Sequence, residues 1–228
     1  LGQDDRYAPS FREARHHASL RNSSAEDILR FKPDLVLATS YSPPESVALL
    51  RRAGVKVLII ERFETLEDVY GSLRTLGRAL GRSAQAEALI RTCQQRVEAL
   101  AQRLRGAKPV RVMAAGVYPY AAGADTSFQD ICDHAAALNV AAEAGLKGHV
   151  PMPGEKALAW NPDVLIAPQE GHEDVMAQLK GLAPYKFMKA LRQGRVVTLP
   201  ASLMASTSHR RIEAYEWVAR ALHPERFP

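Results

Sequence analysis

Three tyrosines, Tyr41, Tyr118 and Tyr120, stand in loops that follow apolar, strand-like runs. An aromatic face in such a loop can stack on a flat macrocycle or a catecholate, or it can simply pack the loop. Arg62 follows another apolar run. Its guanidinium can grip a carboxylate or hydroxamate oxygen through charge-assisted, bidentate bonds, or serve as an ordinary surface charge. No catalytic constellation accompanies these residues: there is no Gly-x-Ser-x-Gly elbow, no His-Glu-x-x-His, and neither glycine-rich nucleotide fingerprint. Seven histidines are scattered, and His16 and His17 are adjacent, so on regular structure their rings diverge rather than share a metal. The residues therefore read as those of a binding protein, not an enzyme.

Composition narrows the partners. The chain has 228 residues, 46% hydrophobic and 24% charged, and no run of the ~18 apolar residues needed to span a bilayer. Thirty basic residues are interleaved with 25 acidic ones, so the net charge of +5 does not form a nucleic-acid track. Cys93 and Cys132 make no Cys-x-x-Cys pattern; they are read as a disulfide or as two buried thiols. The chain starts at Leu1 without an apolar export segment and reads as a processed or trimmed form.

The elements that must position the loops repeat. Glu26 to Ala38 (EDILRFKPDLVLA) and Glu155 to Ala167 (EKALAWNPDVLIA) match at an offset of 129. Leu49 to Ile60 is likewise answered by Lys189 to Pro200. Each copy is a helix, a Pro or Gly break and an apolar strand. Ser24 with Asp27 and Thr65 with Asp68 have capping-box spacing, and Ser42-Pro43-Pro44-Glu45 predicts a helix capped by Ser42, with Glu45 completing the box. Ala84 to Arg105 holds no Gly or Pro and repeats apolar residues every three or four positions. That predicts a helix of roughly 33 Å, with Ser83 as cap. The fold expected is α/β: two Rossmann-like lobes with parallel sheets, joined by one long rigid helix, with a ligand cleft between them. The boundaries read as 1–82, 83–105 and 106–228. In parallel sheets ligands bind beyond the carboxyl ends of strands. That draws attention to Ser40 and Tyr41, Arg62 and Phe63, Tyr118 and Tyr120, Gln169 and Glu170, and Ser202 to Ser206.

The ordered motifs KPDLVLA, SPPESVALLRRAGVKVLII, TLEDVYGSLRTLGRALGRSAQAEALI, SFQDICDHAAALNVAA and NPDVLIA resemble the substrate-binding proteins of ABC importers for ferric siderophores, haem and vitamin B12. The resemblance runs from Asn22 to Pro224. It implies a periplasmic or extracellular monomer that captures a metal chelate and delivers it to a membrane permease, with no intrinsic cofactor. It also implies that one exposed glutamate on each lobe docks on permease arginines; the matching positions are Glu45 and Glu155. Capping and helix-dipole roles compete for both. His149 and Met152, in GLKGHVPMPGE, lie near the family's ligand-contacting side chains, and His149 is a candidate haem ligand or an ordinary polar loop residue. The family's first strand and helix precede the motif matching Leu1-Gly2, so either the chain is trimmed or the amino-terminal lobe is a shortened one. Two rival readings are a two-lobed enzyme such as a sugar-nucleotide transferase and a non-transport scaffold. The first requires a phosphate-cradling loop, for which Ala121 to Asp125 is a poor match.

Overall fold

A computed structural model describes residues 24–116 and 120–228; Tyr118 and the His16-His17 pair lie outside the described residues. The chain divides into two compact units, the first ending at Phe63 and the second running from Glu64 to Pro228.

The first unit is a βα pair preceded by a helix: α1 (Ala25–Arg30), β1 (Leu35–Thr39), α2 (Pro44–Arg52) and β2 (Lys56–Ile60). Ser24 caps α1 as expected, its hydroxyl accepting the Asp27 N–H at 3.2 Å. The two strands pair in parallel, from Leu35 opposite Lys56 to Thr39 opposite Ile60. Buried Val47 and Leu50 seat α2. One cap differs from expectation. The Ser42 hydroxyl accepts from the Thr39 N–H at 3.1 Å, closing the turn after β1, and α2 begins at Pro44 with no side-chain cap. Pro43 and Pro44 have no N–H to offer, which removes most of what a capping hydroxyl would bind.

The second unit opens on a helical hairpin, α3 (Leu66–Ala79) and α4 (Ser83–Arg103). Thr65 and Asp68 form the complete capping box at the start of α3. Helix α4 is an unbroken 21 residues, about 31 Å long. It starts at Ser83, which is its first residue rather than its cap, and it buries Ala86, Ile90, Cys93 and Leu100. Leu66 and Tyr70 enter the same core as these residues, so 64–82 packs with the carboxyl-terminal unit. The hairpin closes where α3 presents no side chain. A Cβ at Gly77 would lie 2.7 Å from the Ala86 Cβ and 3.2 Å from the Ser83 Cα. Overpacking of this kind costs about 1–3 kcal/mol, and the better helix propensity of alanine returns about 1 kcal/mol. Gly77→Ala is therefore expected to lower the urea midpoint with no change in slope, a net loss of up to about 2 kcal/mol.

After the hairpin come β3 (Val110–Ala114), β4 (Tyr120–Ala122), α5 (Ser127–His134), β5 (Ala137–Asn139), α6 (Val140–Glu143), β6 (His149–Pro151) and α7 (Lys156–Ala159). The chain ends with β7 (Val164–Gln169), α8 (Val175–Gly181), α9 (Lys189–Arg192), β8 (Val196–Pro200), α10 (Ala201–Met204) and α11 (Arg211–Leu222). Four strands form a parallel sheet in the order β5-β3-β7-β8. Both faces are covered, and β3 shows how. Val112 and Ala114 face a core with α4, α5 and α11, while Met113 and Ala115 face a second core with α7, α8 and α9. The repeat read from the sequence is real in structure: α1-β1 with α2-β2 in one unit corresponds to α7-β7 with α9-β8 in the other, each strand pair parallel.

One polar network crosses the first of these cores. Asp130 on α5 accepts the Leu66 N–H at 3.2 Å and Arg211 Nη1 at 3.2 Å, and takes a short hydrogen bond from the Tyr215 hydroxyl. Arg211 also donates to the Ser206 and Glu64 carbonyls at 3.0 and 2.7 Å. The His134 ring stacks on Tyr215 at 4.4 Å. Burial and the adjacent Asp130 carboxylate push the Tyr215 phenol far above its ordinary range, so it remains an O–H donor.

Candidate ligand-binding site

Strand order locates the crevice of the second unit. The crossover from β3 leads to β5 on one flank, and that from β7 leads to β8 on the other. The switch point is therefore at the carboxyl ends of β3 and β7, where open α/β sheets bind ligands. Gly116 leaves β3 there, and its N–H donates to the Tyr185 hydroxyl at 3.4 Å. Burial raises the pKa of Tyr185 above its ordinary value, so the phenol stays neutral. Tyr185 was not among the residues expected from sequence; it lies 69 positions from Gly116, and only the fold joins them.

Beyond this point the chain forms a two-stranded antiparallel ribbon. Tyr120 of β4 pairs with Pro151 of β6, and Ala122 pairs with His149. Side chains two apart on a strand share a face, so Tyr120 and His149 are diagonal neighbours on one face, roughly 7–8 Å apart. Both are exposed, Tyr120 at 52%. The ribbon is pinned from below. Asn139 Nδ2 donates to the Ala122 carbonyl at 3.0 Å, and the Thr126 hydroxyl donates to the Gly123 carbonyl at 2.8 Å while capping α5. Ala121 to Asp125 thus belongs to a paired strand and its exit, not to a phosphate cradle. Met152, one residue past β6, is half-buried and packs against the α7, α8 and α9 core beside Trp160.

At the carboxyl ends of β1 and β2, the first unit carries its own aromatic pair. Tyr41 is 78% exposed, and its ring lies 5.7 Å from that of Phe63 with a tilt of 58°. Arg62 is exposed on the same loop as Phe63. Of the remaining loops, Gln169 donates to the Glu173 carbonyl at 3.5 Å, and Ser202 lies inside α10 rather than in an open loop. Glu45 occupies the first turn of α2, and Glu155 the position before α7. Both are exposed, neither side chain caps its helix, and neither has an ion-pair partner among the described residues. Cys93 and Cys132 are both free and buried, and burial pushes both thiols up.

A family model described as periplasmic binding protein matches residues 12–203, most of the chain. The chain belongs to the periplasmic binding proteins. Among solved members of this fold, the chain resembles the periplasmic haem-binding protein RhuT from Roseiflexus sp. RS-1 in its apo form. The two are 26% identical with a TM-score of 0.80, the match covering 91% of this chain and 82% of that one. The molybdate-binding protein MolA of Haemophilus influenzae is 26% identical over 250 residues, covering 97% of this chain and 70% of that protein. An uncharacterised ABC transporter substrate-binding lipoprotein of Bacillus subtilis, YvrC, is 24% identical over 215 residues, covering 90% of this chain and 67% of its own length. These relatives are transport proteins, and the parallel sheets and the long α4 helix of this periplasmic binding protein fit their architecture.

Proposed function

We propose that this periplasmic binding protein captures a metal chelate (a ferric siderophore, haem or cobalamin) and delivers it to the permease of an ABC transporter on the extracytoplasmic side of the membrane. The observation that carries the reading is the β4–β6 ribbon at the switch point, which offers an exposed tyrosine and an exposed histidine on one face. A phenol ring can lie against a flat or catecholate ligand while an imidazole meets a metal or a polar edge. The first unit, taken by itself, offers groups of the same chemistry in Tyr41, beside Phe63, and Arg62. Tyr118, preceding β4, is assigned to the same ligand set from sequence position alone. Met152 contributes an apolar wall from its seat on the core.

Handover falls to Glu45 and Glu155. Each carboxylate sits at a helix start, where it faces the positive end of the helix dipole. Each is left without an intramolecular cation among the described residues, so an arginine of the permease meets an unpaired charge.

The deciding experiment is a titration of the purified chain with haem, with cobalamin and with a ferric catecholate. Binding is followed by quenching of Trp160 and Trp217 and by the visible band of each chelate. Micromolar or tighter saturable binding of one of them is expected. If none binds, the chelate reading is wrong, whatever the fold.

A further inference from the structure

The positive charge of this chain is not evenly spread. Between Asp174 and Glu213 there is no Asp or Glu, while Lys180, Lys186, Lys189, Arg192, Arg195, Arg210 and Arg211 all fall there. The whole chain carries only +5, so the rest is net acidic. Arg210 and Arg211 are neutralised by Glu213 and Asp130. The other five cations are exposed, and none has an ion pair among the described residues.

Three of the five converge. Lys180 near the end of α8, Lys186 on the 3₁₀ turn Tyr185–Phe187, and Arg192 at the end of α9 ring a pocket of about 240 Å³. Its remaining walls are Met176, Leu191 and Gly194. Phe187 stands beside it, 55% exposed, with the Lys186 ammonium 4.8 Å from its ring centroid. Gathering like charges around an apolar floor raises the free energy of the chain unless an anion joins them. None of the residues lining this pocket belongs to the β4–β6 ribbon, and the ligand reading makes no use of it.

We propose that this patch docks on an anionic phospholipid surface, the three cations of the pocket taking headgroup phosphate oxygens and Phe187 reaching into the glycerol and acyl boundary. Two features favour lipid over a soluble anion. Lys189, three residues before Arg192 on α9, and Arg195, next to Gly194, are further exposed cations, more than one phosphate would need, and a large aromatic side chain beside Lys186 is left in water. Basic residues with an adjacent aromatic anchor form the combination that holds a protein at a headgroup layer. Such a contact would orient a protein whose cargo is released at a membrane.

The test is co-sedimentation of the full chain with vesicles at low salt. Phosphatidylcholine vesicles carrying phosphatidylglycerol should retain the protein, pure phosphatidylcholine vesicles should not, and high salt should release it. Lys180→Gln/Lys186→Gln/Arg192→Gln should weaken retention at least about tenfold. Phe187→Ser should weaken it several-fold, and Arg51→Gln/Arg52→Gln/Arg105→Gln, equal in charge removed, should leave it intact. All the replaced side chains are exposed, and unchanged melting curves confirm folding. No retention by the anionic vesicles, or equal loss in the two triple variants, overturns the proposal. So does saturable binding of inorganic phosphate without vesicle retention, or capture by an acidic protein surface alone. Chelate binding by the Lys180/Lys186/Arg192 triple variant stays at the wild-type level, so failure here is separate from failure of the transport reading.

Discussion

Arg211→Ala is expected to destabilise the carboxyl-terminal unit by about 3–5 kcal/mol, the range seen when one partner of a buried ion pair is removed. The side chain is 1% exposed, and its guanidinium serves at least three acceptors, among them the Asp130 carboxylate and the Ser206 and Glu64 carbonyls. Truncation leaves a carboxylate, itself 6% exposed, with a phenol, one backbone N–H and the His134 ring 3.7 Å away, and takes one donor from each of two carbonyls. The desolvation cost of those groups, rather than the lost attraction, sets the magnitude. Arg211→Lys retains the charge but not the fork that reaches three acceptors, so it should fall between wild type and alanine. Asp130→Asn removes the anion while keeping an acceptor for the Leu66 N–H. Combining Asp130→Asn with Arg211→Met should cost less than the sum of the two singles by at least about 1 kcal/mol, because no unpaired charge remains. Urea denaturation of the four proteins measures this. If Arg211→Ala lost less than about 1 kcal/mol, the network would be a passenger in the core rather than its clasp.

That clasp also shows where sequence reading stops. The Thr65-Asp68 box and the Ser24 cap are local events, three residues apart, and the structure forms both. The helix expected from Ala84 forms without a break because its apolar spacing matches one face, and Ile90, Cys93 and Leu100 are buried on that face. Asp130 and Arg211 are 81 residues apart, and Asp130 and Tyr215 are 85 apart. Nothing in the local pattern of α5 announces that Asp130 is a core residue, since it occupies an acidic first turn of a kind usually exposed. The Ser42 and Ser83 caps were misplaced for a related reason. Spacing identifies which hydroxyls are near a helix start, but a competing backbone donor, here the Thr39 N–H, decides which bond forms.

Tyr41 and Arg62 were legible as loop residues because parallel strands are easy to see as continuous apolar runs, whereas Tyr120, expected in a loop, is the first residue of β4. The ribbon that brings Tyr120 and His149 together was not. Its strands are three residues each, set in Gly- and Pro-containing sequence, with no alternation to mark them. The helpers that hold it, Asn139 and Thr126, and the Tyr185 hydroxyl that meets Gly116 at the end of β3, are visible only once carbonyls and amides have been assigned partners. Met152 teaches the reverse: a side chain near the family's ligand contacts by position also packs on the core.

Tyr120→Ala/His149→Ala should weaken chelate binding by about tenfold to a hundredfold while leaving the melting temperature unchanged. An aromatic contact contributes about 0.5–1.5 kcal/mol beyond its buried area, and each 1.4 kcal/mol is about tenfold in affinity. Both side chains are exposed, so their loss opens no cavity. The single variants separate their roles. If His149 meets the metal, His149→Ala shifts the visible band of the bound chelate as well as its affinity, whereas Tyr120→Phe, which keeps the ring, leaves both near wild type. Asn139→Ala supplies the control for positioning. It touches no ligand, but it frees the Ala122 carbonyl and loosens β4, so it should raise the dissociation constant without moving the band. Equal affinity in wild type and double variant would place the chelate away from the ribbon. The switch-point argument would then survive only for the loop between β3 and β4.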